Sequence, residues 1–534
     1  MPDTPPVPDA VARRARWPWL LLALAGAWVV LVRVPLVLNA ACHLDSDLAV
    51  DGLTLLDATR GHWRWHYPGT PYIGIGPVLL SLPQALVWGA TPATLVSGGT
   101  VAFLGLLVAT FLVAWRAYGP RVAAWSLMPL AFASNGAVWL SGRITGGHLV
   151  AAVWHAGAFA VLVRCLRGGG WRSALALGVG CGVGYWLDPM FVVTLAGLAA
   201  AALGSWLAGR CSRRGVALAL VFVAGFLGGV WPRVVGARVD PYSCYDDQFA
   251  FATHPDVLAG HADLLVRECL PRLIAGHALP GLGTDPSPGA VNGVPVNPLD
   301  GPSRAPVGPW ALAAAVLASG LWVAATLALC VTVRRGADHA GRAVAAGLVV
   351  AAAVTLAGFI VNRNIFNSDN YRYLVSLLVP WAVGFGLLVD RLCRKGRGGR
   401  LVASSLAVAL AIVMTGDLKD WYAHFGWVDA AGLPARQALD DDVLGWLSVY
   451  PKLTWLEAGY WDVYRLSFLS GGRVRGAPFP IYPNRFPRWR RGQGTPRLVL
   501  VRPTPEGSAF SLAAMRAGAR VVYATRGTAA LELP

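Results

Sequence analysis

Long apolar runs recur along this chain, and that recurrence limits the fold more than any other feature. A helix needs about 20 apolar residues to cross the hydrocarbon layer of a bilayer. Runs suited to this lie at 18–38, 94–116, 122–140, 147–163, 173–187, 190–208, 215–235, 309–333, 343–362, 373–390 and 401–416. They predict an α-helical polytopic membrane protein with about eleven transmembrane helices. The segment 77–90 is apolar but short and carries Pro77 and Pro83. It reads as a re-entrant or interfacial piece, with a twelfth span as the alternative. Composition agrees: 14% of residues are charged, against about 25% in soluble domains.

The basic residues report orientation. With a cytoplasmic N-terminus, the inner loops collect Arg13, Arg14 and Arg16, then Arg164, Arg167 and Arg172, and later Arg391, Arg394, Lys395, Arg397 and Arg400. The short outer loops hold only Arg143, Arg363 and Arg372. This is the positive-inside bias. It accounts for most of the net charge of +17 and argues against nucleic-acid binding. An odd number of spans leaves three large polar pieces outside: 39–93, 236–308 and the tail. The chain therefore divides into a multi-span domain, 1–416, and an extracytoplasmic domain, 417–534. The expected location is the bacterial inner membrane.

The outer pieces differ in character. Residues 39–93 open with a helical stretch to Gly61, then crowd Trp63, Trp65, Tyr67 and Tyr72 together. These rings suit an interfacial belt or a platform for a sugar or isoprenoid chain. Residues 236–308 are rich in Pro and Gly and read as a long irregular loop. Asp246 and Asp247 there suit a solvated turn better than a metal site, and Cys244 and Cys269 either pair or remain thiols. The tail reads as a small α/β domain, with helices at 439–450, 460–469 and 512–517 and strands at 497–501, 520–524 and 529–533. Its basic run Arg485, Arg488, Arg490 and Arg491 reads as a surface resting on lipid headgroups, or as a contact to a phosphorylated lipid.

The segment Asp45-Ser46-Asp47-Leu48-Ala49-Val50-Asp51-Gly52-Leu53 concentrates three carboxylates just beyond the first span. Such groups are costly beside hydrocarbon unless partners, water or substrate compensate. Together with Arg60-Gly61 and Tyr67-Pro68-Gly69-Thr70-Pro71-Tyr72-Ile73-Gly74, it resembles the first outer loop of the GT-C glycosyltransferases, in the bacterial branch of protein O-mannosyltransferases and aminoarabinose transferases. The stretch Tyr371-Arg372-Tyr373-Leu374 resembles that family's late Arg-Tyr-Leu run, and Tyr460-Trp461-Asp462-Val463-Tyr464 resembles a helix of its C-terminal domain. Leu48 departs from the family's Asp-Glu pair. Any role of that Glu is missing here, or passes to Asp45 or Asp51.

The resemblance implies inverting transfer of a sugar from a polyprenyl-phosphate donor to a lipid, protein or glycan acceptor on the outer face. The acceptor hydroxyl needs a base, and Asp47 is the first candidate, with Asp45 second. The leaving phosphate needs positive charge, which an Arg fork supplies through two oxygens at once. Arg143, Arg363 and Arg372 are the candidates. Asp51, Tyr67, Tyr72 and His148 are further candidate substrate contacts. His148 and His155 stand seven apart on one helix face and read as hydrogen-bonded packing; Asp188 reads as a helix-ending residue. No cofactor or required metal is expected. Two other classes remain open: a transporter or flippase of a lipid-linked sugar, and a non-catalytic cell-envelope assembly protein.

Overall fold

The computed structural model describes residues 16–205, 213–244, 250–279, 290–291, 294–295, 308–336, 338–439, 441–450, 452–493, 495–502, 504–525 and 528–534. Asp246 and Asp247 lie outside the described residues. Eight helices among those described are long and apolar enough to cross a membrane: Trp17–Leu38, Pro92–Tyr118, His148–Leu166, Gly215–Val239, Pro309–Arg335, His339–Val361, Ser368–Cys393 and Arg397–His424. The chain is a multi-pass membrane protein.

The other three of the eleven expected spans are shorter or broken among the described residues. The run expected at 122–140 divides into Pro120–Ser126, Met128–Ala131 and Asn135–Gly142. Ser134 caps the last of these by accepting from the Ala137 N–H at 3.0 Å, so the apolar run contains its own helix start. Trp171–Leu187 has 17 residues, and Pro189–Ser205 is helical up to the edge of the described residues. Gly76–Trp88 has 13 residues and extends only about 20 Å, too short for a bilayer core of about 30 Å. At the far end, the last long helix passes the expected boundary at 416 and continues to His424.

The acidic segment is the start of a 14-residue helix, Ser46–Thr59. Asp45 caps it, accepting from the Leu48 N–H at 2.7 Å, which satisfies one of the orphan donors of the first turn. Leu48, Val50 and Leu55 are fully buried. One face therefore anchors the helix in the core and leaves Asp47 half-buried on another.

The C-terminal region is built on a five-stranded sheet: β1 (Trp455–Ala458), β2 (Arg475–Pro478), β3 (Arg497–Val501), β4 (Arg520–Ala524) and β5 (Ala529–Leu533). The strand order is β2-β1-β3-β5-β4. Strands β2 and β3 run parallel to β1 on its two sides, and the last two are antiparallel. The helix Tyr460–Leu469 links β1 to β2 and packs on Ser46–Thr59. A Cβ added to Gly52 would stand 2.5 Å from the Phe468 ring, so the two helices approach as closely as they do only because residue 52 has no side chain.

Candidate active site

Asp45, Asp47 and Asp51 share one helix but not one environment. Asp45 accepts from Leu48 N–H and is ion-paired with Arg143. Burial raises its carboxyl above the ordinary value, with Arg143 opposing. Asp47 Oδ1 accepts from the Tyr460 hydroxyl at 2.5 Å, and the Asp47 carbonyl accepts from Tyr67 Oη at 2.8 Å. Asp51 is 1% exposed, and neither carboxyl oxygen has a partner among the described residues. Burial, reinforced by the neighbouring Asp47 charge, pushes the Asp51 carboxyl well above the usual range. Leu48 points into the apolar core and is 0% exposed.

Arg143 reaches this group, and Arg372 shares a cavity with Arg143. Arg143 pairs with Asp45 and stands 3.8 Å from Asp369 Oδ2. Burial works against its charge, yet Asp45, Asp369 and Asp47 hold the guanidinium above its ordinary value. Arg372 makes no ion pair of that kind among the described residues, and its buried Nε has no partner there. It lies over the Tyr373 ring at 5.4 Å and lines two cavities. One runs past His148, His155, Asp188 and Phe191. The other is bounded by Trp139, Arg143, Asp369 and Tyr371. Arg363 is exposed; its N–H bonds to the Ala250 carbonyl at 2.9 Å, and it takes no part in this cluster.

The histidines are hydrogen-bonded. His148 Nδ1 meets Asp188 Oδ2 at 2.5 Å and sits edge-on to Tyr373. His155 Nδ1 bonds Thr194 Oγ1 at 2.8 Å. Asp188 has a second role, accepting from the Met190 N–H at 2.8 Å and so starting the next helix. Tyr72 lies on the turn beyond Tyr67, where its carbonyl accepts from Arg233 at 3.3 Å. Among the described residues, no cluster of three or more His, Cys, Asp or Glu is placed to hold a metal ion.

The C-terminal region supplies residues that the sequence did not single out for the site. Tyr460 reaches Asp47, and Arg485 Nε donates to the Tyr460 hydroxyl at 3.1 Å. Arg485 also lies over the Tyr67 ring at 5.1 Å. It is 7% exposed, so it leaves the lipid-facing run expected of it; Arg488, Arg490 and Arg491 remain at the surface. Asp369 was likewise passed over. Its place two residues before the Tyr371-Arg372 run was the available signal. Cys244 and Cys269 are both free thiols, the second of the two alternatives the sequence left open. Cys244 Sγ packs by Gly69 and the Asn484 carbonyl, whereas Cys269 Sγ faces the Ser368 carbonyl.

No family model matches the chain, and no curated protein sequence matches it. The fold nevertheless has counterparts among solved structures. It is similar to ArnT from Cupriavidus metallidurans bound to undecaprenyl phosphate, with a TM-score of 0.60 at 12% identity, covering 96% of this chain and 97% of that one. The apo state of the same protein gives a TM-score of 0.62 at 13% identity over the same shares. The Archaeoglobus fulgidus oligosaccharyltransferase gives 0.53 at 13% identity, covering 88% of this chain and 65% of that one.

Proposed function

We propose that this protein is an inverting glycosyltransferase that moves a sugar from a polyprenyl-phosphate donor to an acceptor hydroxyl on the outer face of the membrane. The observation that carries this reading is a half-buried carboxylate, Asp47, on the helix whose cap Asp45 pairs with Arg143, beside the cavity that Arg143 shares with Arg372 and its uncommitted Nε. The similar structures give it context. ArnT was solved with undecaprenyl phosphate, and the archaeal oligosaccharyltransferase with a dolichol-phosphate and an inhibitory peptide.

The chemistry asks for two things. As the acceptor oxygen bonds to the anomeric carbon, its proton must leave, and Asp47 accepts it. A positioned base of this kind contributes about 10²–10⁴-fold. The bond from that carbon to the phosphate oxygen breaks on the opposite face, and the departing phosphate carries its charge to Arg372. One displacement inverts the configuration, so no covalent sugar intermediate forms. Asp45 is occupied by its cap and by Arg143, which leaves Asp47 as the base. The lipid chain reaches the site laterally from the bilayer. In this reading the N-terminus is cytoplasmic, the C-terminal sheet lies outside, and the membrane is the bacterial inner membrane.

The test uses purified protein in bilayer nanodiscs with a panel of radiolabelled polyprenyl-phosphate sugars and a membrane extract as acceptor. Wild type is expected to transfer label. Asp47→Asn should lose at least about 100-fold in rate, and Arg372→Gln should lower kcat/KM for the donor by roughly 10–100-fold. Saturable donor binding without transfer by any form would instead favour a flippase or an assembly protein. Undiminished transfer by Asp47→Asn would remove the base assignment.

A further inference from the structure

Strand β1 sits at a switch point. From its carboxyl end the chain passes through the Tyr460–Leu469 helix to β2 on one side, and then returns to β3 on the other. In parallel sheets such a reversal opens a crevice outside the strand ends, where ligands bind. Here the crevice faces the start of the acidic helix. Ser46 Oγ donates to the Tyr460 carbonyl at 2.5 Å, and Tyr460 Oη donates to Asp47 Oδ1 at 2.5 Å. Two successive residues of the outer loop are thus gripped by one residue of the sheet.

The direction of this chain of bonds is set by chemistry. Arg485 can only donate, and its Nε donates to Tyr460 Oη at 3.1 Å. The phenol has one proton, which therefore goes to Asp47. Arg485 is itself held: its N–H donates to Tyr464 Oη at 2.7 Å, and its guanidinium lies over Tyr67. Oδ1 of Asp47 is consequently committed as an acceptor, and Oδ2 accepts no hydrogen bond from the described residues. Oδ2 is the oxygen left to receive a proton. A base oriented by a third group that is itself anchored is the general logic of activated catalytic pairs.

We propose that Tyr460, held by Arg485, is a positioning residue that aims Asp47 at the acceptor hydroxyl, so that the C-terminal sheet completes the active site. This rests on the reading of Asp47 as the base. Asp45, Asp51, Arg143 and Arg372 bear on Asp47 from the membrane domain, and only Tyr460 binds its carboxylate directly among the described residues.

The test uses the full chain in nanodiscs with the transfer assay above. Tyr460→Phe keeps the ring and loses only the hydroxyl; Tyr460→Leu loses both. A positioning role predicts that Phe lowers kcat about 10–100-fold, nearly as far as Leu, while KM for the lipid donor stays within about twofold. A packing role predicts that Phe restores wild-type kcat, and that result would overturn the proposal. A rise in KM with kcat unchanged would also overturn it. If the Phe variant does not fold, Arg485→Gln carries the test: a fall in kcat at constant KM supports the proposal, and unchanged kcat overturns it. Should Asp47→Asn transfer at the wild-type rate, the base assignment itself fails and this inference with it, whereas a normal Tyr460→Phe beside an inactive Asp47→Asn defeats the inference alone.

Discussion

Three carboxylates on one helix are given three roles by what surrounds them. Asp45 is consumed by its cap and its ion pair, Asp47 keeps one oxygen open, and Asp51 is sealed away from water without a partner among the described residues. Burial favours the neutral form of Asp51, because an unpaired charge in such a place is costly. The sign of the pH effect follows. Below the ordinary value of 3.8 the acid is protonated whether the chain is folded or not, and it costs the fold no ionisation energy. Above that value the unfolded chain ionises while the folded one holds its proton, so stability falls as pH rises until the raised folded value is passed. Asp51→Asn removes this dependence. The difference in Tm between Asp51→Asn and wild type is expected to grow as pH rises above about 4, measured by thermal unfolding in detergent. A difference flat across that range would show that Asp51 is not buried as an acid.

Between elements, the decisive contact is that of Ser46–Thr59 with Tyr460–Leu469. Phe468 is 2% exposed, and its ring stands 2.5 Å from where a methyl group at residue 52 would sit. Gly52→Ala should force the helices apart at a cost of about 1–3 kcal/mol. It should also draw Tyr460 away from Asp47. The expected result is a lowered Tm together with reduced transfer, and partial recovery of both in the Gly52→Ala, Phe468→Leu double variant. Retained stability and activity in Gly52→Ala would mean that the helices adjust without cost. Sequence periodicity located both helices, and it located β3, β4 and β5. It missed β1 and β2, four residues each. Strand β2 reads Arg-Gly-Ala-Pro, which carries no strand preference of its own. Its extended form comes from pairing in register with β1.

For the molecule as a whole, orientation in the membrane is the property most open to direct measurement. The positive-inside bias predicts that the loop around Arg397 lies inside and, in the proposed reading, the C-terminal sheet outside. In a variant lacking its native cysteines, Ser448→Cys should react with a membrane-impermeant maleimide on intact cells. Arg397→Cys should react only after the membrane is opened. Both positions are exposed, so access to the reagent is set by the side of the membrane. The opposite pattern would place the acidic helix and its arginines on the cytoplasmic side and require a donor presented there.

The membrane class, most of the helices and the clustering of Asp45, Asp47 and Asp51 were all legible from residue order. Each depends on local pattern: apolar runs of spanning length, helix periodicity, and acids close together on one turn of chain. The break in the 122–140 run was harder to read, because an apolar stretch looks continuous until a side chain such as Ser134 takes up a backbone N–H. Which surfaces meet was decided only by the tertiary structure. Tyr460 and Asp47 are 413 positions apart, and no periodicity links them. Arg485 looked like one more basic residue in a surface run, and folding turned it inward between two tyrosine rings. Many apolar helices present similar faces, so their sequences specify burial without specifying a partner. The partner is chosen by shape and by polar groups that must find one another once water is excluded.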